Sequence, residues 1–302
     1  MFSEEHMPIK PFKSYEEQLQ FLNERGLLIK NKAEALHTLE HHNYYRISAY
    51  RFPFQDAPDH FKKGTSFAQL WELYCFDRAL RQLTNEACKA LEISVRARWA
   101  HVLGGKYGAH AYENPSVFRS GSFYQNNLSR LDEELNRSQE AFISHYRTQH
   151  NLQRPPIWAA CEVMSFGLLS RFYDCILRMR DKKEIASTYQ LSVSGFRSLL
   201  QQSVYLRNLS AHHSRLWNRR LTVNLSLPTK QPAGIISSLN LTDVKRIYNS
   251  LILLGHIHSL IAPKSDWKQR LQSHLETLNG PSHSDMGFPN DWRERDFWKD
   301  IR

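Results

Sequence analysis

Three features of this sequence predict an all-α fold. Apolar residues recur in three- and four-residue steps from Leu70 through Leu80 and Leu91 to Val102, the repeat of a long amphipathic helix. Helix-start signals recur along the chain, and Ser14-Tyr15-Glu16-Glu17 has the pattern of a capping box. Nearly all the chain between its loops reads as helix, and Val223 to Pro232 reads as irregular or briefly extended.

The elements follow in order. Leu19, Phe21 and Leu22 continue the first helix, and Gly26 closes it. Asn31-Lys32-Ala33-Glu34 opens a second, with Ala35, Leu36 and Leu39 on one face. The pair makes a helix-turn-helix-like unit studded with Arg25, Lys30, Lys32, Arg46 and Arg51. Such a unit suits a nucleic-acid reader or, the favoured reading, a small packing subdomain. Pro53 to Gly64 is an expected loop. Thr65 or Ser66 then caps the long helix, and Gly104-Gly105 is expected to stop it. At about 1.5 Å per residue that helix exceeds roughly 50 Å, long enough to organise a bundle.

After a loop with Asn114-Pro115 and Gly121, residues 127–150 read as one polar helix, ended by Arg154-Pro155-Pro156. Trp158 to Met179 reads as an apolar helix with a kink at Gly167. Ser194 is the expected cap of the next, which carries Phe196, Leu199, Leu200, Val204 and Leu206. Helices over Thr242–Ile261 and Asp266–Leu278 follow, then a tail rich in Gly, Pro and Trp. There is no internal repeat. The expected organisation is a helix-turn-helix-like unit over 1–60, a helical bundle over 61–225, and a helical extension over 226–302 packed on the bundle.

The chain has 302 residues, 41% apolar and 23% charged, which suits a globular core and not a disordered chain. Lys and Arg number 40 against 30 Asp and Glu, a net charge of +10. That balance favours a polyanionic partner, nucleic acid first and an anionic membrane second. Cys75, Cys88, Cys161 and Cys175 form no Cys-x2-Cys pair and sit among apolar residues. They read as buried free thiols of a reducing compartment, so a cytoplasmic protein is expected. Met1 to Lys10 is polar and holds no apolar signal core. The most apolar run, Ser250 to Ala262, is too short to span a bilayer and contains His256 and His258.

The run Arg207-Asn208-Leu209-Ser210-Ala211-His212-His213 carries the chemistry. A guanidinium can grip a phosphate with two parallel hydrogen bonds. An imidazole titrates near neutrality and can take or give a proton. Arg215, Arg219 and Arg220 follow, charge enough to hold a polyanion. Arg96 and His101 repeat the spacing inside the long helix. Five residues of regular helix turn about 140°, so neither pair should share a face. Arg207 and His212 converge only where the helix is irregular or a second chain completes the site.

Other candidates carry less. His37 and His41, four residues apart, could face a metal, but Glu40 is expected to point elsewhere and no metal site is expected. His256-x-His258 is weaker still. Gly104-Gly105-Lys106 lacks the full phosphate-loop pattern. Glu92 and Arg96 read as a structural ion pair, with a role beside Arg207 as the rival reading. Tyr44, Tyr45 and Tyr50 suit base stacking, though packing against the long helix is favoured.

The motif resembles the Arg-x4-6-His signature of the HEPN superfamily, and the chain resembles the Abi-like (AbiD/AbiF type) abortive-infection proteins over nearly its whole length. Seven ordered segments carry the resemblance: Arg25 to Leu27, His42 to Tyr50, Tyr74 to Arg81, Leu91 to Arg96, Glu162 to Gly167, Arg207 to His213, and Met286 to Pro289. Ser210 departs from it, standing where a small residue or Cys is expected.

The resemblance implies a HEPN-like helical bundle and an endoribonuclease of phage defence, a toxin that cleaves RNA without a metal or other cofactor. His212 would be the general acid or base, Arg207 would neutralise phosphate charge, Asn208 would orient one of them, and His213 would support. Arg215, Arg219 and Arg220 would bind the RNA backbone. A homodimer would face two Arg/His sets in one basic cleft, and a small-RNA or protein antitoxin would restrain it. The alternatives are a non-catalytic RNA-binding regulator using the same motif, or an interaction module without nucleic acid.

Overall fold

The computed structural model describes residues 11–119, 121–230 and 232–299. The polar stretch Met1 to Lys10 lies outside the described residues. The protein is all-α, with one two-stranded hairpin among the described residues. It divides into two compact units, residues 1–78 with 277–282, and residues 79–276 with 283–302.

The first unit opens as its capping signals require. Ser14 Oγ accepts from the Glu17 N–H at 3.2 Å, and Glu17 Oε2 accepts from the Ser14 N–H at 2.6 Å, starting α1 (Tyr15–Glu24). Gly26 turns the chain at φ +91°, a conformation that glycine adopts without a side-chain penalty. Asn31 Oδ1 accepts from the Glu34 N–H and starts α2 (Lys32–His41). Leu19 and Leu22 of α1 and Ala35 and Leu39 of α2 are buried. Asn43 caps a short α3 (Tyr44–Ser48). The expected loop instead holds β1 (Gln55–Ala57) and β2 (His60–Phe61), paired antiparallel with a bulge. Strands of three and two residues are too short to show an alternating pattern. The Tyr50 hydroxyl donates to the buried Asp77 carboxylate at 2.6 Å.

The long helix, α4 (Phe67–Tyr107), has 41 residues. Ser66 precedes it, and the Gln69 side chain reaches back to accept from the Ser66 N–H at 2.9 Å, the glutamine half of a capping box. Gly104 and Gly105 do not stop it. A Cβ at Gly104 would meet Ile157 Cγ2 at 3.0 Å, so this glycine admits a neighbour rather than ending a helix. The stop is Gly108, at φ +85°.

In the second unit, the polar segment is two helices, α5 (Ser122–Arg137) and α6 (Ala141–Gln149). Ser138 Oγ accepts from the Glu140 N–H, a local bond that competes with helix continuation. The apolar segment is also split, into α7 (Ile157–Val163) and α8 (Phe166–Cys175). The break falls at Ser165 and not at Gly167. Ser165 is extended, caps α8, and donates from both N–H and Oγ to Glu134 of α5 at 2.7 Å. An unexpected α9 (Met179–Ser187) follows. Ser192, not Ser194, caps α10 (Val193–Ala211), its Oγ accepting from the Gly195 N–H at 3.1 Å.

α10 packs on α8 and α9, and α5 on α8, around Trp99, Phe172 and Phe196. After a single turn, α11 (Ala233–Ile236), comes α12 (Tyr248–Ile261). Thr242 does not start α12. Its N–H and Oγ both donate to Asn240 Oδ1, which folds the segment into a local turn. α13 (Trp267–Glu276) and α14 (Asp296–Lys299) complete the elements.

Phe297 and Trp267 crowd Gly255 of α12, where a Cβ would stand 2.5 Å and 2.9 Å from ring carbons of the two. Both rings are buried. Alanine gains up to about 1 kcal/mol over glycine in a helix, but overpacking costs about 1–3 kcal/mol. Gly255→Ala is therefore expected to lower the unfolding free energy by roughly 1–2 kcal/mol, measured by urea denaturation.

Candidate functional site

The end of α10 presents the Arg207–His213 run. The helix stays regular through Ala211, and the His212 N–H donates to the Asn208 carbonyl at 2.9 Å. His213 then enters the left-handed region at φ +56°. Its N–H reaches the Ser210 carbonyl at 3.2 Å, and the Ser214 N–H reaches the Leu209 carbonyl at 2.8 Å. This pattern closes a helix C-terminus, with histidine where glycine is usual. Ser210 is buried, so a small side chain fits there.

Because the helix is regular across the motif, Arg207 and His212 remain about 140° apart in one chain. Arg207 lines an open groove of about 740 Å³ with Glu92, Arg96, Glu134, Arg137 and Glu162. His212 does not line it. Asn208, His212 and His213 are exposed. Arg207 Nη1 donates to Asn208 Oδ1, the side chain of the next residue, at 3.2 Å.

What the structure brings to Arg207 is Glu92. The Glu92 side chain is 8% exposed. Its Oε1 accepts from Arg96 Nη2 at 2.6 Å, and its Oε2 stands 3.8 Å from Arg207 Nε. Arg96 Nη2 also donates to the Met164 carbonyl at 2.7 Å. Glu92 and Arg96 thus form the i, i+4 ion pair that the helical spacing predicts, and the pair stands beside Arg207. Arg96 and His101 diverge as expected, for His101 lines a separate cavity with Trp158 and Cys161.

The groove is not simply basic. Glu92, Glu134, Glu140 and Glu162 line it together with Arg96, Arg137 and Arg207. The cations after the motif occupy a non-helical segment anchored by buried Leu216, Trp217 and Leu221. Arg219 Nε donates to the Arg215 carbonyl at 2.6 Å, Arg215 lies over the Trp217 ring at 6.0 Å, and Arg220 is exposed.

Burial disfavours the thiolate form of the cysteines. Burial, reinforced by Glu92, pushes the Cys88 thiol up to about 12. Burial raises Cys161 to about 12 and Cys175 to about 11, and Cys75 rises too. Burial likewise holds His256 and His258 below the ordinary imidazole value, and His258 stacks on Trp267. Glu40 does not point elsewhere. The ligand atoms of His37, Glu40 and His41 lie within 4.8 Å of one another on the exposed face of α2, and the three could hold a divalent cation.

A family model described as Abi-like protein matches residues 37–218, well over half the chain. The chain belongs to the Abi-like family. The match contains Glu92, Arg96, Arg207 to His213 and Arg215, and ends before Arg219 and Arg220. Comparison with curated proteins and with solved structures gave no match. Membership of the Abi-like family points to abortive infection, a phage-defence role. Among the described residues of this Abi-like protein, no helix is long and apolar enough to cross a membrane.

Removing one partner from a buried ion pair costs about 3–5 kcal/mol, because the other charge is left uncompensated. Arg207 is 35% exposed and recovers part of that from water. Glu92→Ala is expected to lower the unfolding free energy by about 2–4 kcal/mol. Arg207→Ala should cost less than about 1 kcal/mol. Urea denaturation of the two variants checks the difference.

Proposed function

We propose that this Abi-like protein is a metal-independent endoribonuclease that acts as a homodimer in phage defence. The observation that supports it most is the Arg207-Asn208-x3-His212 motif at the end of α10, with Asn208 and His212 exposed and the half-buried guanidinium steadied by Asn208 and Glu92. His212 takes the proton from a 2′-hydroxyl, the 2′-oxygen attacks phosphorus, and the 5′-oxygen leaves with a proton from an acid. Arg207 stabilises the charge that grows on the non-bridging oxygens. Asn208 orients Arg207, and His213 has a supporting role. Arg215, Arg219 and Arg220 hold backbone phosphates. The HEPN-type reading gives the second chain a reason. The His212 of one copy can meet the Arg207 of the other, which one regular helix does not allow.

The reading predicts that purified protein cuts RNA in EDTA and leaves 2′,3′-cyclic phosphate and 5′-hydroxyl ends. His212→Ala is expected to lose at least 10²-fold in rate, the usual worth of a positioned acid or base, with the helical signal unchanged. Arg207→Ala should lose as much, and both should relieve toxicity on expression. Light scattering should give a dimer at micromolar concentration. Ends carrying 5′-phosphates, or full activity in His212→Ala, would refute the assignment.

A non-catalytic RNA-binding regulator remains the second reading, because His212 does not line the groove that holds Arg207. It predicts salt-dependent RNA binding without cleavage in the wild type.

A further inference from the structure

The first unit contains a cavity of about 690 Å³ lined wholly by residues 11–59. Six aromatic side chains are strongly exposed among the described residues: Phe12, Tyr15, Tyr45, Phe52, Phe123 and Trp158. Three of them, Phe12, Tyr45 and Phe52, line this one cavity. Tyr45 is 73% exposed and Phe52 56%. Contiguous apolar surface of this kind on a folded chain marks a place where something binds.

The charge around the rings says what. Lys13, Arg25 and Arg51 line the cavity with a single carboxylate, Asp59. Asp59 accepts from Arg25 at 2.6 Å and stands 3.5 Å from Arg51, so one negative charge is shared between two guanidiniums. The Arg25 guanidinium lies over the Phe21 ring at 3.8 Å, which fixes it without cancelling its charge. The cavity thus keeps a positive surplus beside aromatic faces. Its volume falls in the ordinary range for small-ligand pockets, about 300–1,000 Å³, with room for a base and its phosphate. Flat rings for bases and cations for phosphates are the two parts of a single-strand binding site. An acidic peptide would use the cations and leave the rings uncovered.

The three tyrosines of the sequence motif part company here. Tyr50 is buried and bonds to Asp77, whereas Tyr44 and Tyr45 line the cavity. We infer that this cavity binds single-stranded nucleic acid, with Tyr45 and Phe52 stacking on bases and Arg25 and Arg51 facing phosphates. The inference rests on the reading of RNA as the substrate and adds a contact surface separate from the Arg207 motif.

The test uses full-length His212→Ala protein, so that binding is read without cleavage, and fluorescent 12-nucleotide single strands of RNA and of the same DNA sequence. Adding Tyr45→Ala is expected to weaken binding about tenfold or more, as loss of one stacked base does. Tyr45→Trp should restore it. Arg51→Gln should flatten the salt dependence by about one unit of log–log slope. A preference for RNA over DNA would identify the biological strand, and equal binding would leave the shared single-strand chemistry standing. Unchanged affinity in Tyr45→Ala overturns the inference, as does competition by poly-glutamate equal to that by unlabelled strand. If the wild type cuts RNA while Tyr45→Ala binds normally, the cavity assignment falls and the ribonuclease stands. If binding needs Tyr45 but the wild type cuts nothing, the reverse holds.

Discussion

A carboxylate withdrawn from water governs the structure around the motif. Glu92 can keep a charge at 8% exposure only where other charges compensate it. Arg96, one turn along α4, bonds to it at 2.6 Å, and Arg207 of α10 stands 3.8 Å away. Arg96 also holds the Met164 carbonyl, where α7 ends and α8 is about to start. Three parts of the second unit are thereby tied to one group. The difference between the two distances matters. The close contact fixes Arg96 as a structural cation, and the loose one steadies Arg207 while leaving its field directed at the groove.

The second constraint is the twist of the helix itself. At about 100° per residue, an arginine and a histidine five positions apart look in different directions unless the backbone breaks. It does not break until His213, one residue too late to turn His212 toward Arg207. The left-handed residue instead sends the chain into the segment of Arg215, Arg219 and Arg220. That segment follows no regular repeat, and buried Leu216 and Trp217 hold its course.

Much of this was legible in the sequence. The capping box at Ser14, the Asn31 cap and the apolar stripe of α4 fixed their helices through local chemistry. Local signals failed where a distant partner decided the outcome. Gly104 looked like a stop, but it is a close approach to Ile157, 53 positions away. Gly167 looked like the kink, but Glu134 of another helix draws the break to Ser165. The motif residues were visible as a pattern. The partnership of Glu92 with Arg207 was only half visible, since spacing shows that Glu92 meets Arg96 and not which second helix arrives beside them. The hairpin escaped because two or three residues carry no period.

The covering of α12 has a consequence for how the protein is made. Tyr248, Leu253 and Leu254 of this very apolar helix are buried, and the Tyr248 hydroxyl accepts from Trp298 Nε1. Phe288 lies against the Tyr248 ring, and Phe297 fills the space left by Gly255. The residues that provide this cover, 288–298, leave the ribosome well after the motif on α10 has emerged. A nascent chain therefore carries the Arg207–His213 run before the cover of α12 exists. Translation must proceed some eighty residues beyond the motif before that apolar helix is shielded from water.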